Sequence, residues 1–202
     1  MREGNIFIIS GPSGGGKTTL VKKVLESMNN LRFSVSCTTR KPRPGEVNGR
    51  DYIFVSDSGF GKMIEEGKFA EYAKVHDHMY GTPIAELDNA AKSGDDLILD
   101  IDVQGARQIR QRFGSGVYCF VLPSSFEILK ERLKRRGSED KGEMDRRLSE
   151  ARQEMEEIGS YDYIIINDDL DRAGECLRSI IISTRCGREK ALNIVKKGYS
   201  SE

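Results

Sequence analysis

The sequence predicts an α/β fold in which helices cover both faces of a parallel β-sheet. Four short runs are apolar throughout, as expected of strands that are buried on both sides, and a helical pattern of apolar residues follows each run. A glycine-rich segment joins the first run to its helix. Alternating buried strands and helices are typical of a parallel sheet, and 202 residues suffice for one such domain with insertions.

The predicted strands of the core cover residues 6–9, 97–99, 117–122 and 163–166. The first helix has apolar residues at helical spacing from Leu20 to Met28, and the last helix is predicted at about 171–195. Two segments interrupt this alternation. Residues 34–82 form an insertion with strand candidates at 52–55 and 69–75, and residues 124–155 form two helices joined by a polar turn at 137–142. The core is therefore predicted at 1–33, 83–123 and 156–202.

Composition narrows the class of protein. Equal numbers of basic and acidic residues, 32 each, provide no overall basic field for a nucleic-acid polymer. No apolar stretch approaches the length of a membrane span, and the first strand begins too early for a signal peptide. The four cysteines lack the spacing of a metal site and indicate a reduced, cytoplasmic protein. The sequence is compatible with a monomer or a homo-oligomer.

The most specific motif is GPSGGGKT at residues 11–18, which matches the phosphate-binding pattern G-x-x-x-x-G-K-[ST] between a strand and a helix. Its glycines allow backbone N–H groups to converge on one anion, and the helix N-terminus adds a positive dipole end. Lys17 is predicted to reach the β- and γ-phosphates of a nucleoside triphosphate, and Thr18 to offer its hydroxyl to Mg²⁺. The alternative is a glycine-rich turn that binds nothing.

Two acidic residues, Asp100 and Asp102, follow the second core strand. The carboxyl ends of parallel strands line the ligand crevice, and strand alternation puts both carboxylates on the same side. One could order Mg²⁺ through water while the other touches a substrate; Asp102 could instead cap the next helix. Residues 102–105 also match the short D-x-x-G pattern of GTPases, but no N-K-x-D motif follows.

The insertion carries a second set of candidate phosphate ligands. Arg40 and Arg43 flank Pro42, which stiffens the loop and so orients two forked cations for a phosphate dianion. Tyr52 and Tyr80 could donate their phenolic O–H groups to the same phosphate. The alternative is a solvated basic turn with two half-buried tyrosines.

Glu71 lies in a strand-like run of apolar and aromatic residues. A carboxylate there could accept hydrogen bonds from the N1–H and N2–H groups of guanine, whereas adenine presents a lone pair at N1. Ser36 and Thr82 could add hydroxyl contacts. The alternative for Glu71 is an outward-facing strand residue.

Arginines recur at helical spacing between residues 124 and 155. Arg132 and Arg136 are four residues apart and share a helix face, and Arg147 follows on the next helix. These cations could form a lid that neutralises negative charge on a transferring phosphoryl group. Solvated, salt-bridged helices are the alternative.

Together these motifs make the chain resemble the guanylate kinase family over nearly its whole length. The resemblance is carried by GPSGGGKT at 11–18, SCTTRKPRPGEVNGRDY at 36–52, YGT at 80–82, ILDIDVQG at 98–105, the arginine pattern at 132–136 and INDD at 166–169. It implies a P-loop NTPase-type sheet with a small mixed α/β GMP-binding insertion and a helical lid. It also implies transfer of the γ-phosphoryl group of MgATP to GMP, and to dGMP, in purine nucleotide metabolism. A catalytically inactive, guanylate-kinase-like binding module is the alternative.

The resemblance also implies a role for each matching position. Guanine is held by Ser36, Glu71, Thr82 and Asp102, and the GMP phosphate by Arg40, Arg43, Tyr52 and Tyr80, with Glu46 supporting the arginines. The ATP side consists of Gly11, Pro12, Ser13, Gly14, Gly15, Gly16, Lys17, Thr18, Thr19, Arg132, Arg136 and Asn167. The implied catalytic residues are Lys17, Arg40, Arg136 and Arg147, and the implied Mg²⁺ site is Thr18 with Asp100 through water.

Overall fold

The computed structural model of the protein describes residues 4–75, 77–135, 141–188, 191, 192 and 195. Its elements alternate between strands and helices along most of the chain. In chain order they are β1 (Ile6–Ser10), α1 (Lys17–Ser27), β2 (Leu31–Phe33), β3 (Cys37–Thr38), β4 (Ile53–Phe54), α2 (Asp57–Glu65), β5 (Phe69–Val75), β6 (His78–Pro83), α3 (Ile84–Ser93), β7 (Asp96–Asp100), α4 (Val103–Phe113), β8 (Val117–Leu122), α5 (Phe126–Arg135), α6 (Lys141–Glu156), the 3₁₀ turn η1 (Glu157–Ser160), β9 (Tyr163–Ile166) and α7 (Leu170–Arg185).

The central sheet has five parallel strands in the order β2-β7-β1-β8-β9, which confirms the predicted α/β class. β1 lies in the middle, and Ile9 near its end is paired with Asp100 at the end of β7. The glycine-rich loop after β1 and the acidic end of β7 are therefore neighbours. All four predicted core strands are present; the edge strand β2 was not predicted, because three residues that include Arg32 give no apolar run.

Helices pack on both faces of this sheet. On one face, α1 and α7 cover β1 and β8 with side chains such as Leu20, Val24 and Leu177. On the other face, α3 and α4 contribute Leu87 and Ile109. Because helices cover both faces of the central strands, the side chains that point to either face are apolar. The sequence accordingly shows continuous apolar runs rather than alternation.

A second, four-stranded sheet has the order β4-β3-β6-β5 and mixes parallel and antiparallel pairs. The predicted strands at 52–55 and 69–75 correspond to β4 and β5. Helix α2, which was not predicted, packs Phe60 on Phe69 with ring centroids 4.4 Å apart. Two glycines inside α2 hide its helical character, but Ser56 caps it by accepting a hydrogen bond from Gly59 N at 3.1 Å.

The two helices predicted within 124–155 are α5 and α6, and their shared core includes Leu129, Leu133, Leu148 and Ala151. The predicted turn at 137–142 lies mainly outside the described residues. The last helix, predicted at about 171–195, is interrupted in the structure. Residues 188, 191, 192 and 195 are helical, but α7 itself ends at Arg185. Its C-cap Cys186 and then Gly187 close the final turn on main-chain carbonyls of that turn.

Within the described ranges, no helix is both long and apolar enough to cross a membrane.

Candidate active site

The loop at residues 11–16 joins β1 to α1 and curls back on itself, with Gly15 N donating to Pro12 O at 2.9 Å. Gly16 precedes α1 with φ of 87°, and a Cβ there would overlap the side-chain amide of Asn167. No side chain caps the N-terminus of α1, and its first turn contains no acidic residue. The first N–H groups of α1 and its positive dipole end are therefore oriented for an anion, as the motif predicts.

Lys17, the first residue of α1, lies over this loop. Its Nζ donates to Gly11 O at 2.5 Å and to Pro12 O at 3.3 Å. An ammonium group has three donors, so the two carbonyls leave one N–H direction for a further acceptor.

The structure brings together the two residues predicted for Mg²⁺. Thr18 Oγ1 donates to Asp100 Oδ2 at 2.7 Å, across from α1 to the end of β7. A hydroxyl and one carboxylate suit Mg²⁺, which keeps several waters and takes other oxygen ligands from nucleotide phosphates. No three acidic, His or Cys side chains converge anywhere in the described part of the chain, so an all-protein cage for a metal is not found there.

Two more residues predicted on the ATP side meet at the back of the loop. The buried side chain of Asn167 donates from Nδ2 to Gly15 O at 2.9 Å, and Arg132 Nη2 donates to Asn167 O at 2.7 Å. Arg132 on α5 is thereby tied to the phosphate loop. Arg147 lies half-buried on α6, whereas Arg136 lies outside the described residues.

The second sheet supplies the predicted cationic pocket. Glu46 accepts two hydrogen bonds from the Arg40 guanidinium, at 2.8 and 3.0 Å, and a third from Arg43 N at 2.7 Å. These contacts hold the pKa of Glu46 below its usual range and raise the pKa of Arg40. Arg40 Nε also donates to Tyr80 Oη at 3.2 Å. Arg40 is therefore fixed, whereas the Arg43 side chain is exposed to solvent.

Tyr52 links this pocket to the core. Its ring lies 5.4 Å from the Arg40 guanidinium and packs edge-on against Tyr80, with centroids 5.9 Å apart. Burial, and next the negative charge of Asp100, raise the pKa of Tyr52 to about 12. The predicted phosphate-binding tyrosine thus lies within electrostatic reach of the predicted Mg²⁺ ligand.

The predicted guanine ligands form a second cluster where β5 and β6 meet the start of α4. Glu71 Oε1 accepts hydrogen bonds from Thr82 N at 2.9 Å and Thr82 Oγ1 at 2.6 Å. Asp102 caps α4 by accepting from Gly105 N at 2.8 Å, so the capping alternative is correct for one of its oxygens. Glu71 is 4% exposed and faces inward, so the outward-facing alternative was wrong. Ser36, also buried, lies one residue before β3.

The cluster brings two acidic groups close together, with Glu71 buried and Asp102 half-buried. Burial raises the pKa of Glu71 to about 7, against the hydrogen bonds from Thr82, and the charge of Asp102 adds to the increase. Burial also raises the pKa of Asp102. Two neighbouring carboxyl groups with raised pKa values are typical of functional sites and favour a ligand that offers hydrogen-bond donors.

Glu154 is a further residue of this region that was not predicted from the sequence. It lies on α6, and its carboxyl group is within electrostatic reach of Lys17 and Asp102. Nine of the sixteen residues of α6 are charged, so no apolar or acidic pattern distinguishes Glu154 from its neighbours.

Known proteins resemble this chain in sequence and in fold over most of its length. The sequence profile described as guanylate kinase matches residues 3–184. A guanylate kinase of Geobacter sulfurreducens is 49% identical over 201 residues, covering 100% of this chain and 99% of that protein. A guanylate kinase of Caldanaerobacter subterraneus subsp. tengcongensis is 45% identical over 185 residues, covering 92% and 90%. The crystal structure of guanylate kinase from Anaplasma phagocytophilum aligns with a TM-score of 0.80 at 28% identity and covers 100% of this chain and 98% of its own.

The family profile covers most of the chain, and the relatives are matched along nearly their full length. The chain therefore belongs to the guanylate kinase family, the ATP:GMP phosphotransferases among the nucleoside monophosphate kinases.

Proposed function

We propose that this chain transfers the γ-phosphoryl group of MgATP directly to a phosphate oxygen of GMP, giving ADP and GDP, and that dGMP is also accepted. One observation carries the proposal: an acidic cluster suited to guanine and a fixed arginine pocket lie near a triphosphate-type loop, with Tyr52 of the pocket within electrostatic reach of Asp100. A phosphorylated guanine nucleotide bound by the first two would direct its phosphate towards the loop.

Guanine recognition is assigned to Glu71, Asp102, Thr82 and Ser36. The carboxylate oxygens of Glu71 and Asp102 accept hydrogen bonds, so they complement the N1–H and N2–H groups of guanine and repel the N1 lone pair of adenine. Thr82 holds one Glu71 oxygen by two hydrogen bonds, which leaves Oε2 oriented towards Gly105 and Asp102. The pocket is therefore organised for a donor-rich base edge.

The GMP phosphate is assigned to Arg40, Arg43, Tyr52 and Tyr80. Glu46 holds the Arg40 guanidinium in one orientation, which reduces the entropy lost when a phosphate binds. The exposed Arg43 supplies a second forked cation from the same loop. Arg40 is thus held in place before the phosphate binds, whereas Arg43 is exposed to solvent.

The ATP phosphates are assigned to the loop N–H groups of residues 11–16, with Lys17, Thr18 and Thr19. Arg132, Arg136, Arg147 and Asn167 complete this side. Thr18 and Asp100 would hold Mg²⁺, which neutralises charge on the β- and γ-phosphate oxygens when bound. Lys17 and the arginines stabilise the charge that spreads over the equatorial oxygens of the transferred group.

The reaction needs no nucleophilic side chain. A phosphate oxygen of GMP forms the new P–O bond, the bond between the γ-phosphorus and the bridging oxygen breaks, and the electron pair leaves on the β-phosphate of ADP. The chain's contributions are alignment, charge and exclusion of water, which is the competing nucleophile.

We assign these tasks to three parts: a core of residues 1–33, 83–123 and 156–202, a GMP-binding insertion at 34–82 and a lid at 124–155. The second sheet with α2 lies within the insertion, and α5 and α6 lie within the lid. We place the reaction in the cytoplasm, where ATP and GMP are its small-molecule partners.

The test is ADP formation from MgATP with GMP, dGMP, AMP, CMP and UMP offered separately. We expect turnover with GMP and dGMP only. Lys17→Ala should lower kcat by about 100-fold or more with a smaller change in the KM for GMP, whereas Lys62→Ala, on the exposed side of α2, should change neither. Folded protein that turns over no acceptor would contradict the proposal and favour the inactive binding module.

A further inference from the structure

Glu154 is a half-buried acidic residue that no step of the proposed reaction uses. It lies on α6, seven residues and about two turns after Arg147, so both side chains share the face of that helix. Its Oε2 atom is excluded from solvent and has no hydrogen-bond partner among the described residues. An acceptor in this state is costly, and it therefore calls for an explanation in the working enzyme.

The fold determines where Glu154 lies. The apolar core shared by α5 and α6 fixes one helix against the other. A Cβ on Gly14 of the phosphate loop would lie 3.1–3.2 Å from Leu129 and Leu133, so α5 packs directly on that loop. Met155, the neighbour of Glu154, lines a cavity of about 90 Å³ together with Pro12 of the loop. This turn of α6 is thus held beside the phosphate loop by packing.

Titratable groups from four parts of the chain lie within electrostatic reach of Glu154. Lys17 at the start of α1 is the cation, and the acidic or phenolic groups are Asp102 before α4, Glu150 on α6 and Tyr161 after η1. Burial raises the pKa of Glu154 to about 7; Lys17 opposes this increase, and Asp102 and Glu150 add to it. Lys17 is therefore the charge that favours the ionised carboxylate.

When Glu154 is ionised, the missing partner of Oε2 must be a hydrogen-bond donor. ATP and GMP phosphates bring only acceptors, so they cannot satisfy it. Lys17 uses two of its three donors on Gly11 O and Pro12 O, and the third remains available. Phosphates that attract the ammonium away from those carbonyls also free its other donors.

We propose that Glu154 is a positioning residue for Lys17: its carboxylate, presented by α6 beside the phosphate loop, orients the ammonium group that contacts the transferring phosphoryl group. This inference rests on the proposed role of Lys17. It makes correct orientation of Lys17 depend on α6 lying over the loop, which favours transfer in the assembled site over hydrolysis.

The experiment is a double-mutant cycle on kcat and on MgATP affinity measured by calorimetry. Glu154→Gln should lower kcat about tenfold, leave the KM for GMP within about twofold and weaken MgATP binding about threefold. In a Lys17→Ala background, the same substitution should change neither quantity further. Glu154→Asp should recover part of kcat, and Glu156→Gln, on an exposed residue of α6, is the matched control.

Several results would overturn the proposal. Equal effects of Glu154→Gln with and without Lys17 would exclude action through that lysine. Tighter MgATP binding would mean that the carboxylate only repels phosphates. If Glu154→Gln lowered kcat with GMP but not with dGMP, Glu154 would contact the ribose 2′-hydroxyl rather than Lys17. Absence of wild-type turnover would contradict the proposed function, and the calorimetric cycle would still decide the role of Glu154.

Discussion

Glu71 makes the proposed guanine contact sensitive to pH. Its pKa is raised to about 7 by burial, and only the ionised form accepts hydrogen bonds at both oxygens. We therefore expect the KM for GMP to increase about tenfold between pH 8 and pH 6 as the carboxylate gains a proton. Glu71→Gln should raise the KM at pH 8 and abolish most of this dependence. Because the GMP phosphate also titrates near pH 6, the dependence that persists in Glu71→Gln serves as the correction.

Glu154 imposes a cost on the folded protein that depends on pH. Its folded pKa of about 7 lies above the ordinary value of 4.5, so the folded state binds the extra proton. The stabilisation from this proton is complete below about pH 4.5 and is lost as the pH rises through 7. Glu154→Gln should therefore increase the free energy of unfolding at pH 8, by on the order of 1–2 kcal/mol after allowance for partial exposure, and much less at pH 5.

Chemical denaturation of the wild type and of Glu154→Gln at both pH values measures this difference. The exposed Glu156 provides the comparison, since Glu156→Gln should have nearly the same effect at pH 5 and pH 8. An increase in stability that does not depend on pH would indicate better packing rather than removal of a buried charge.

At the level of the elements, the start of α4 is built around a close approach to Glu71. A Cβ on Gly105 would overlap Glu71 Oε2 and lie 3.3 Å from Asp102 Oδ1. Gly105→Ala improves helix propensity by about 1 kcal/mol, yet it should displace the Glu71 carboxylate and raise the KM for GMP several-fold. In α2, a Cβ on Gly61 meets nothing within 4 Å. Gly61→Ala should therefore stabilise the protein and leave the KM for GMP unchanged.

The elements also show which features a single sequence can predict. Most residues are apolar in each of four core strands, β1, β7, β8 and β9. This pattern can be recognised without knowing which strands pair with which. β2, β3 and β6 are short or contain polar residues and glycine, so pairing with neighbouring strands stabilises them and no local pattern reveals them. The break after Arg185 was not predicted, because apolar residues continue beyond it, whereas the chain turns at Cys186 before helical residues resume.

The residues of the candidate site likewise fall into those that a local sequence pattern predicts and those that it does not. The phosphate loop is predictable because its glycines, lysine and threonine are contiguous and must be so to bind phosphate. Residues of the insertion were candidate phosphate and base ligands by their chemistry, but only the family resemblance assigned them to GMP. Spacing alone did not decide whether Glu71 faces inward. Glu154 was missed because its role depends on packing between α5, α6 and the loop, which no local pattern in α6 encodes.

At the scale of the whole molecule, the proposed guanine pocket exists only where the two sheets are joined. Glu71 and Thr82 come from the second sheet, whereas Asp102 and Gly105 come from the core. Helix α4 connects the two sheets through Gln108. Its Nε2 donates to Tyr72 O at 2.7 Å, and its Oε1 accepts from Tyr72 N at 3.2 Å. The groups proposed to bind the base are therefore aligned by docking of β5 on α4.

Arg112 is the second tie between α4 and β5 and gives the sharpest test of this docking. Its Nη1 donates to Phe69 O at 2.6 Å and Ala70 O at 3.4 Å, beside the irregularity in β5 that precedes Glu71. Arg112→Ala removes these bonds without touching the phosphate loop. We expect the KM for GMP to rise about tenfold, from a loss of about 1–2 kcal/mol, while MgATP affinity is unchanged.

Arg107 offers the control, because it lies on the same helix but forms an exposed ion pair with Glu157 instead. Arg107→Ala should leave the KM for GMP within about twofold, as expected for an exposed pair. Steady-state kinetics with GMP and calorimetry with MgATP separate the two sides of the site. If Arg112→Ala weakened both nucleotides equally, α4 would be stabilising the whole chain rather than aligning the second sheet with the core.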